Sequence, residues 1–203
     1  MTETPKQIWI DAAYTALTNS GIEAVKVMEL AKSLNVTRTA FYWHFKDREA
    51  LLEELVAMWE DTNTGNLIRQ TEAYAETIAE AVFNIFDCWI TPDLFDSALD
   101  LAIRNWARND PALQTRLDVA DRRRTNAVKA MFERHGYAPH QAETRAMTII
   151  YTQVGYISMQ VTETAELRLS RMPEYIEVFT GRPAEPAAIA RFAARHGLNL
   201  QAR

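Results

Sequence analysis

Apolar residues recur along the chain at three- and four-residue steps, and no stretch alternates apolar and polar positions in the two-residue rhythm of a strand. The pattern predicts an all-α fold. A first helix opens at Pro5, a residue tolerated in a first turn, and sets Ile8, Ala12 and Ala16 on one stripe with Trp9 and Ala13 beside it, until Asn19-Ser20-Gly21 ends it. Val27, Leu30, Ala31 and Leu34 mark a short second helix. It breaks at Asn35, a residue that tolerates the left-handed backbone of a tight turn, and Thr37 follows as a side chain able to cap the next helix. A third, strongly aromatic helix begins near Arg38, and Lys46-Asp47 opens a fourth, with Asp47 as its N-cap and Leu51, Leu52, Leu55, Val56 and Trp59 on its apolar face.

Beyond a break at Asn63-Thr64-Gly65 the predicted helices lengthen. One covers 67–90, the next runs from a Thr91-Pro92 start to Arg108, another from Asp110-Pro111 to His135-Gly136, and a fourth from Pro139 to Leu167. Pro173, Gly181, Pro183 and Pro186 divide the tail into short helices near 173–179 and 186–196, closed by Gly197.

Length and composition narrow the class. With 203 residues, 48% of them hydrophobic and 24% charged, the chain has the makeup of a globular protein rather than a disordered one. A lone Cys88 forms no internal disulfide, no apolar run nears the roughly 18 residues of a membrane span, and the first residues lack the pattern of a signal peptide; the expected location is cytoplasmic. The formal net charge of -5 lies entirely beyond residue 50. Between 31 and 48, Lys32, Arg38, Lys46 and Arg48 face only Asp47, a local basic segment in an acidic chain.

Three short helices with a tight turn between the second and third have the organisation of a helix-turn-helix unit. In such a unit the third helix enters a major groove about 12 Å wide. Arg38 has the fork geometry for guanine, Thr39 offers a hydroxyl and a methyl, and Tyr42, His44, Lys46 and Arg48 supply donors for phosphates. Phe41 and Phe45 read as core of the head, and Trp43 as either a base contact or exposed packing.

The segment GIEAVKVMELAKSLNVTRTAFYWHFKDREALL, residues 21–52, closely resembles the DNA-binding signature of the TetR family of bacterial transcription regulators. Gly21, Leu30-Ala31, Val36-Thr37, the run from Phe41 to Phe45, Lys46 and Glu49-Ala50-Leu51-Leu52 carry the match. The resemblance implies a helix-turn-helix DNA-binding domain over 1–47 and a larger helical ligand-binding and dimerisation domain over 48–203. It further implies a homodimer that binds a palindromic operator in double-stranded DNA, acts as a repressor and is released by a small effector. Two departures stand out. Lys26 occupies the position of the usual hydroxyl cap of the second helix; it cannot cap by accepting a bond but can meet a phosphate, as can Thr37. Met28 stands where a basic residue is common, which shifts base reading toward Arg38, Thr39 and Trp43.

For the larger domain, aromatic density over 67–107 suggests either core or the wall of a pocket for an apolar or aromatic ligand, with Phe86, Trp89 and Trp106 as candidates. Arg104 and Gln153 are candidate orienting groups. Dimerisation is assigned to the helices near 111–135 and 139–167, with Ala142, Ala146, Ile149, Ile150, Val154 and Ile157 as the interface stripe. Arg122-Arg123-Arg124 reads as exposed charge pairing with Asp118 and Asp121. No spacing for zinc, phosphate loop or Cys-His pair is present, so no catalytic residue, metal or cofactor is assigned. Two rivals to the regulator remain: a helical small-molecule-binding protein or enzyme with an unused head, and a regulator controlled by a partner protein.

Overall fold

The computed structural model describes residues 5–197, which form helices and turns with no strand. Twelve α-helices follow in order: α1 (Pro5–Ser20), α2 (Val27–Ser33), α3 (Arg38–Phe41), α4 (Arg48–Trp59), α5 (Asn66–Glu72), α6 (Ile78–Ile90), α7 (Ser97–Ala107), α8 (Pro111–Arg134), α9 (Pro139–Ser158), α10 (Ala165–Ser170), α11 (Met172–Thr180) and α12 (Pro186–Arg195). The chain divides into two compact units, one of residues 1–63 with 96–120 and the other of 64–95 with 121–203.

The first unit is larger than the head expected over 1–47. Trp9, Ala13 and Leu17 of α1 share one core with Phe41 and Phe45, with Leu51, Leu55 and Trp59 of α4, with Leu99 and Ile103 of α7 and with Leu113 and Leu117 of α8. The apolar stripes of α4, α7 and the start of α8 are spent on that core, so a boundary after residue 47 would expose it. Caps behave as their side chains dictate: Asp47 accepts from the Ala50 amide at 2.8 Å and Asp96 from the Leu99 amide at 2.8 Å. Arg116 of α8 reaches back to both Glu53 and Glu60, bonding the second with two nitrogens at 2.9 Å each.

The break expected at Asn63-Thr64-Gly65 is absent. Glu60–Gly65 instead forms a π-helical segment that carries α4 into α5 without leaving the helix. Asn63 is fully buried, accepting from the Asp96 amide at 2.9 Å and donating to the Asp96 carbonyl at 2.9 Å. Nearby, buried Asp100 accepts from the Trp59 indole at 2.8 Å and from Arg104 Nε at 2.8 Å. The polar residues that mark a turn in an isolated sequence are here satisfied by tertiary partners.

In the second unit α6 is buried on nearly every side from Ile78 to Trp89, with its one polar stripe of Glu80, Asn84 and Asp87 taken up by Arg191 and Arg195 of α12. It does not continue from α5: residues 73–77 separate them, and Thr77 caps α6 by accepting from the Glu80 amide. Thr91-Pro92 is a turn rather than a helix start, and α7 waits for Asp96. The helix expected to reach Leu167 ends at Ser158, where Gln160 takes a left-handed φ of 51°. Phe83 of α6 stacks on Phe192 of α12 at 4.6 Å, and buried Asp87 holds Arg195 and His196 at 2.7 Å each. Arg124 is buried too, donating to Thr64 Oγ1 at 2.9 Å; it pairs with Asp121 at 3.4 Å as expected for the arginine run, but from a buried rather than an exposed position. Ala142, Ala146, Ile149, Ile150 and Ile157 are buried within this unit and are not a surface stripe.

Candidate nucleic-acid interface and cavity

Tight packing fixes the geometry of the α2–α3 pair. The Val36 amide bonds the Ala31 carbonyl at 3.0 Å and Asn35 adopts φ 53°, closing the turn through the left-handed residue that Asn accommodates. Thr37 starts α3 with extended backbone, but its side chain makes no capping bond, which leaves the hydroxyl on the exposed surface. One further turn after Phe41 places Phe45 inward again, its amide bonding the Phe41 carbonyl at 3.0 Å. Phe41 is fully buried, edge-on to Trp9 at 5.2 Å and stacked on Phe45 at 5.3 Å. The core therefore grips one side of this aromatic run and forces the other outward.

That outer side holds Thr37, Arg38, Thr39, Tyr42, Trp43 and Lys46, all exposed, with Trp43 at 80%. No acidic residue lies between Glu29 and Asp47, so no carboxylate of this segment competes for those donors. Arg38 is pre-set by Tyr42 one turn along, donating to its hydroxyl at 2.8 Å from Nη2. Lys26 is exposed at the start of α2, and Met28 beside it is 66% exposed, an apolar contact where a basic one was absent from the sequence. His44 is half-buried at the edge of the patch.

Arg48 departs from the expected phosphate role. Its Nε donates to the Val25 carbonyl at 2.5 Å and its Nη2 to the Ile22 carbonyl at 2.9 Å, tying the start of α4 to the turn that precedes α2. The guanidinium is a clamp on the backbone, and its two strongest donors point away from the surface.

The second unit contains a cavity lined by residues of α6, α9, α10 and α11 and by Glu163 from the segment between α9 and α10. Phe86, Trp89 and Gln153 line it. Arg104 and Trp106 do not: both sit on α7 in the first unit, where Arg104 is paired with Asp100 and Trp106 packs on the core. Sequence reading missed Glu163, Arg168, Tyr175 and Phe179: the helix predicted to Leu167 takes in Glu163, which the fold places in the segment after α9, and local spacing does not show what the other three face. Tyr156 donates its hydroxyl proton to Glu163 at 2.5 Å, and Arg168 lies 4.5 Å from the centroid of the Tyr156 ring. Cys88 is fully buried, and burial pushes its thiol up to about 12, which makes it an inert packing residue.

A head that buries one side of its third helix and presents donors on the other defines a helix-turn-helix protein. Residues 10–55 match the model of the family described as bacterial regulatory proteins, tetR family. The head is therefore similar to the DNA-binding part of TetR-family regulators. Over 70 residues it is 37% identical to the HTH-type transcriptional regulator AcrR of Shigella flexneri, covering 34% of this chain and 31% of that protein. Over 158 residues it is 27% identical to the tetracycline repressor protein class A from transposon 1721 of Escherichia coli, covering 77% of this chain and 67% of that one. In three curated relatives the matched stretch spans only 31% to 39% of their length. A TetR-family transcriptional regulator from Rhodococcus sp. shares the fold, with a TM-score of 0.61 at 19% identity over 87% of this chain and 98% of that one.

Proposed function

We propose that the protein is a transcriptional repressor that binds a palindromic operator as a homodimer through α3 and is released by a small apolar or aromatic effector held in the second unit. The observation that carries this reading is the two-sidedness of the aromatic run: Phe41 and Phe45 are buried while Arg38, Thr39, Tyr42 and Trp43 are exposed, in a segment with no acidic residue from 30 to 46. Lys26, Thr37 and Lys46 border that face as phosphate partners, with His44 at its edge. The name of one relative, a tetracycline repressor, supports repression.

The dimer is assigned to the exposed side of α9, where Gln141, Thr144, Thr148 and Tyr151 lie one turn apart, since the apolar side is already spent. Two recognition helices about 34 Å apart would meet successive major grooves. An effector acts by its differential affinity for the conformations that do and do not meet that spacing, and α4 with its π-helical extension is the covalent link along which the head follows the body.

The test is selection of bound sequences from random duplex DNA with purified full-length protein. Recovery of one palindrome, with binding that falls steeply as salt rises, is the expected outcome. Failure to enrich any sequence in folded, ligand-free protein overturns the reading in favour of a binding protein or enzyme that does not use its head. Arg38→Ala relaxes preference at one base pair of that palindrome and costs about 1–3 kcal/mol.

A further inference from the structure

The cavity in the second unit is not merely apolar. Its aromatic wall is formed by Phe86, edge-on to Trp89 at 5.0 Å, and by Tyr175, stacked on Phe179 at 5.6 Å. Into this wall are set donors that the protein leaves unused. Trp89 is 9% exposed, lines the cavity, and its indole N–H is buried with no acceptor. A buried N–H without a partner costs about 1–3 kcal/mol, which is rare in a protein unless something else supplies the acceptor. Gln153, equally buried, has no side-chain partner among the described residues.

Charge adds a second, independent pointer. Two ionisable side chains of opposite sign line the cavity, Arg168 and Glu163. Glu163 is already spent: it accepts the Tyr156 hydroxyl at 2.5 Å and is paired with Arg171, and these two partners hold it below the ordinary carboxylate range. Arg168 has no carboxylate partner among the described residues. It donates one nitrogen to the Trp89 carbonyl at 3.1 Å and lies over the Tyr156 ring; its charge acts on Glu163 through space without a direct ion pair, which leaves the remaining edge of the fork available to a further acceptor.

We propose that the effector is an aromatic carboxylate. Its ring lies among Phe86, Trp89, Tyr175 and Phe179, and its carboxylate meets the Arg168 guanidinium, with the Trp89 indole and the Gln153 amide completing the shell. The proposal rests on the reading of the second unit as an effector-binding body, and it narrows that reading from apolar or aromatic molecules to anionic ones.

The experiment titrates full-length protein with 2-naphthoate, 2-naphthamide and 2-naphthylmethylammonium, three probes of one ring size and different charge, by calorimetry and by tryptophan quenching. The acid binds at least about tenfold tighter than the amide and the cation, the ratio a charge-assisted bond in a partly desolvated site supplies. Arg168→Gln brings acid and amide within about twofold of each other while retaining the unliganded melting temperature, whereas Arg123→Gln, on the exposed face of α8, leaves the preference intact. Trp89→Phe, which removes only the N–H donor among the polar groups, weakens acid and amide alike. Equal affinity for all three probes, binding of none, or an acid preference that survives Arg168→Gln overturns the proposal. The same samples are tested on the selected duplex: DNA binding without acid preference sinks only this inference, and acid binding without any DNA selectivity sinks the reading of the head instead.

Discussion

Arg48 offers the sharpest separation between two accounts of the head. As a phosphate contact it would be worth one unit of the salt slope and little stability; as a clamp it is worth stability first. Its guanidinium makes two hydrogen bonds to the carbonyls of Val25 and Ile22, at 2.5 and 2.9 Å, and its side chain is 31% exposed. Bonds from a charged donor contribute about 1.5–3 kcal/mol each when buried, and water reaching the exposed edge replaces part of that, so the pair is worth about 2 kcal/mol. For a chain of this length, that lowers the melting temperature by about 4–8 °C. Arg48→Met keeps the apolar stem and removes both bonds; Arg48→Lys keeps the charge but not the fork. The clamp requires both variants to lose stability in urea denaturation, with Lys recovering less than half, and DNA affinity to fall because α2 is no longer held at its correct start. A variant with an unchanged midpoint whose logarithmic salt slope drops by about one would refute the clamp and restore the phosphate contact.

Neighbouring residues on α3 should respond in opposite ways: Phe41→Ala costs about 3–5 kcal/mol in denaturation, while Trp43→Ala, at 80% exposed, stays within about 0.5 kcal/mol and lowers operator affinity in a gel-shift titration. Asn63→Ala leaves the part-buried Asp96 amide without its acceptor, while the Asp96 carbonyl keeps the Asp100 amide at 3.0 Å, and should cost about 1–2 kcal/mol by urea denaturation; a loss under about 0.5 kcal/mol would show that the π-helical segment does not depend on it. Burial, and then the hydrogen bond and charge of Asp96, push the Tyr14 phenol from 10.0 up to about 12. The neutral phenol is the form the fold prefers, so its contribution is complete below pH 10.0 and is lost as the pH rises toward about 12. Tyr14→Phe should flatten that alkaline loss of stability, followed by circular dichroism at fixed urea, and an unchanged alkaline limb would count against the assignment.

What could be read from the chain was whatever depends on neighbours in sequence. The ends of α1, the turn at Asn35, the Asp47 cap, the start of α8 at Pro111 and the inward pair Phe41 and Phe45 follow from spacing, caps and left-handed tolerance, and all of them stand in the fold. The outer face of α3 was legible for the same reason: once one side of a short amphipathic helix is assigned to a core, the other is defined. Three kinds of feature were hidden. Arg48 looks identical in sequence whether it meets a phosphate or the carbonyls of Val25 and Ile22, since those partners lie more than twenty residues away. The interface stripe expected on α9 has the pattern of any apolar helix face, and nothing local tells whether Ile149 and Ile150 are covered by the same unit or by a second copy. The polar half of the cavity was missed because Glu163 lies in the segment between α9 and α10 and Arg168 in the six-residue α10, and local spacing does not show which way either faces.

The Asn63-Thr64-Gly65 run shows why such failures cluster at polar sites. Taken alone, Asn, Thr and Gly offer the backbone alternatives to a helix and read as punctuation. Here each polar side chain has a better use: Asn63 is consumed by both backbone groups of Asp96, and Thr64 accepts from Arg124, so neither competes with the helix that carries it. The chain passes from the first compact unit to the second between these two residues, and again within α8 between Ala120 and Asp121. The backbone is helical at these two crossings, whereas the return between Phe95 and Asp96 lies outside any helix. The residues that defeat a local reading are thus the ones with distant partners, because a helix retains polar punctuation residues where the tertiary structure has taken up their hydrogen bonds.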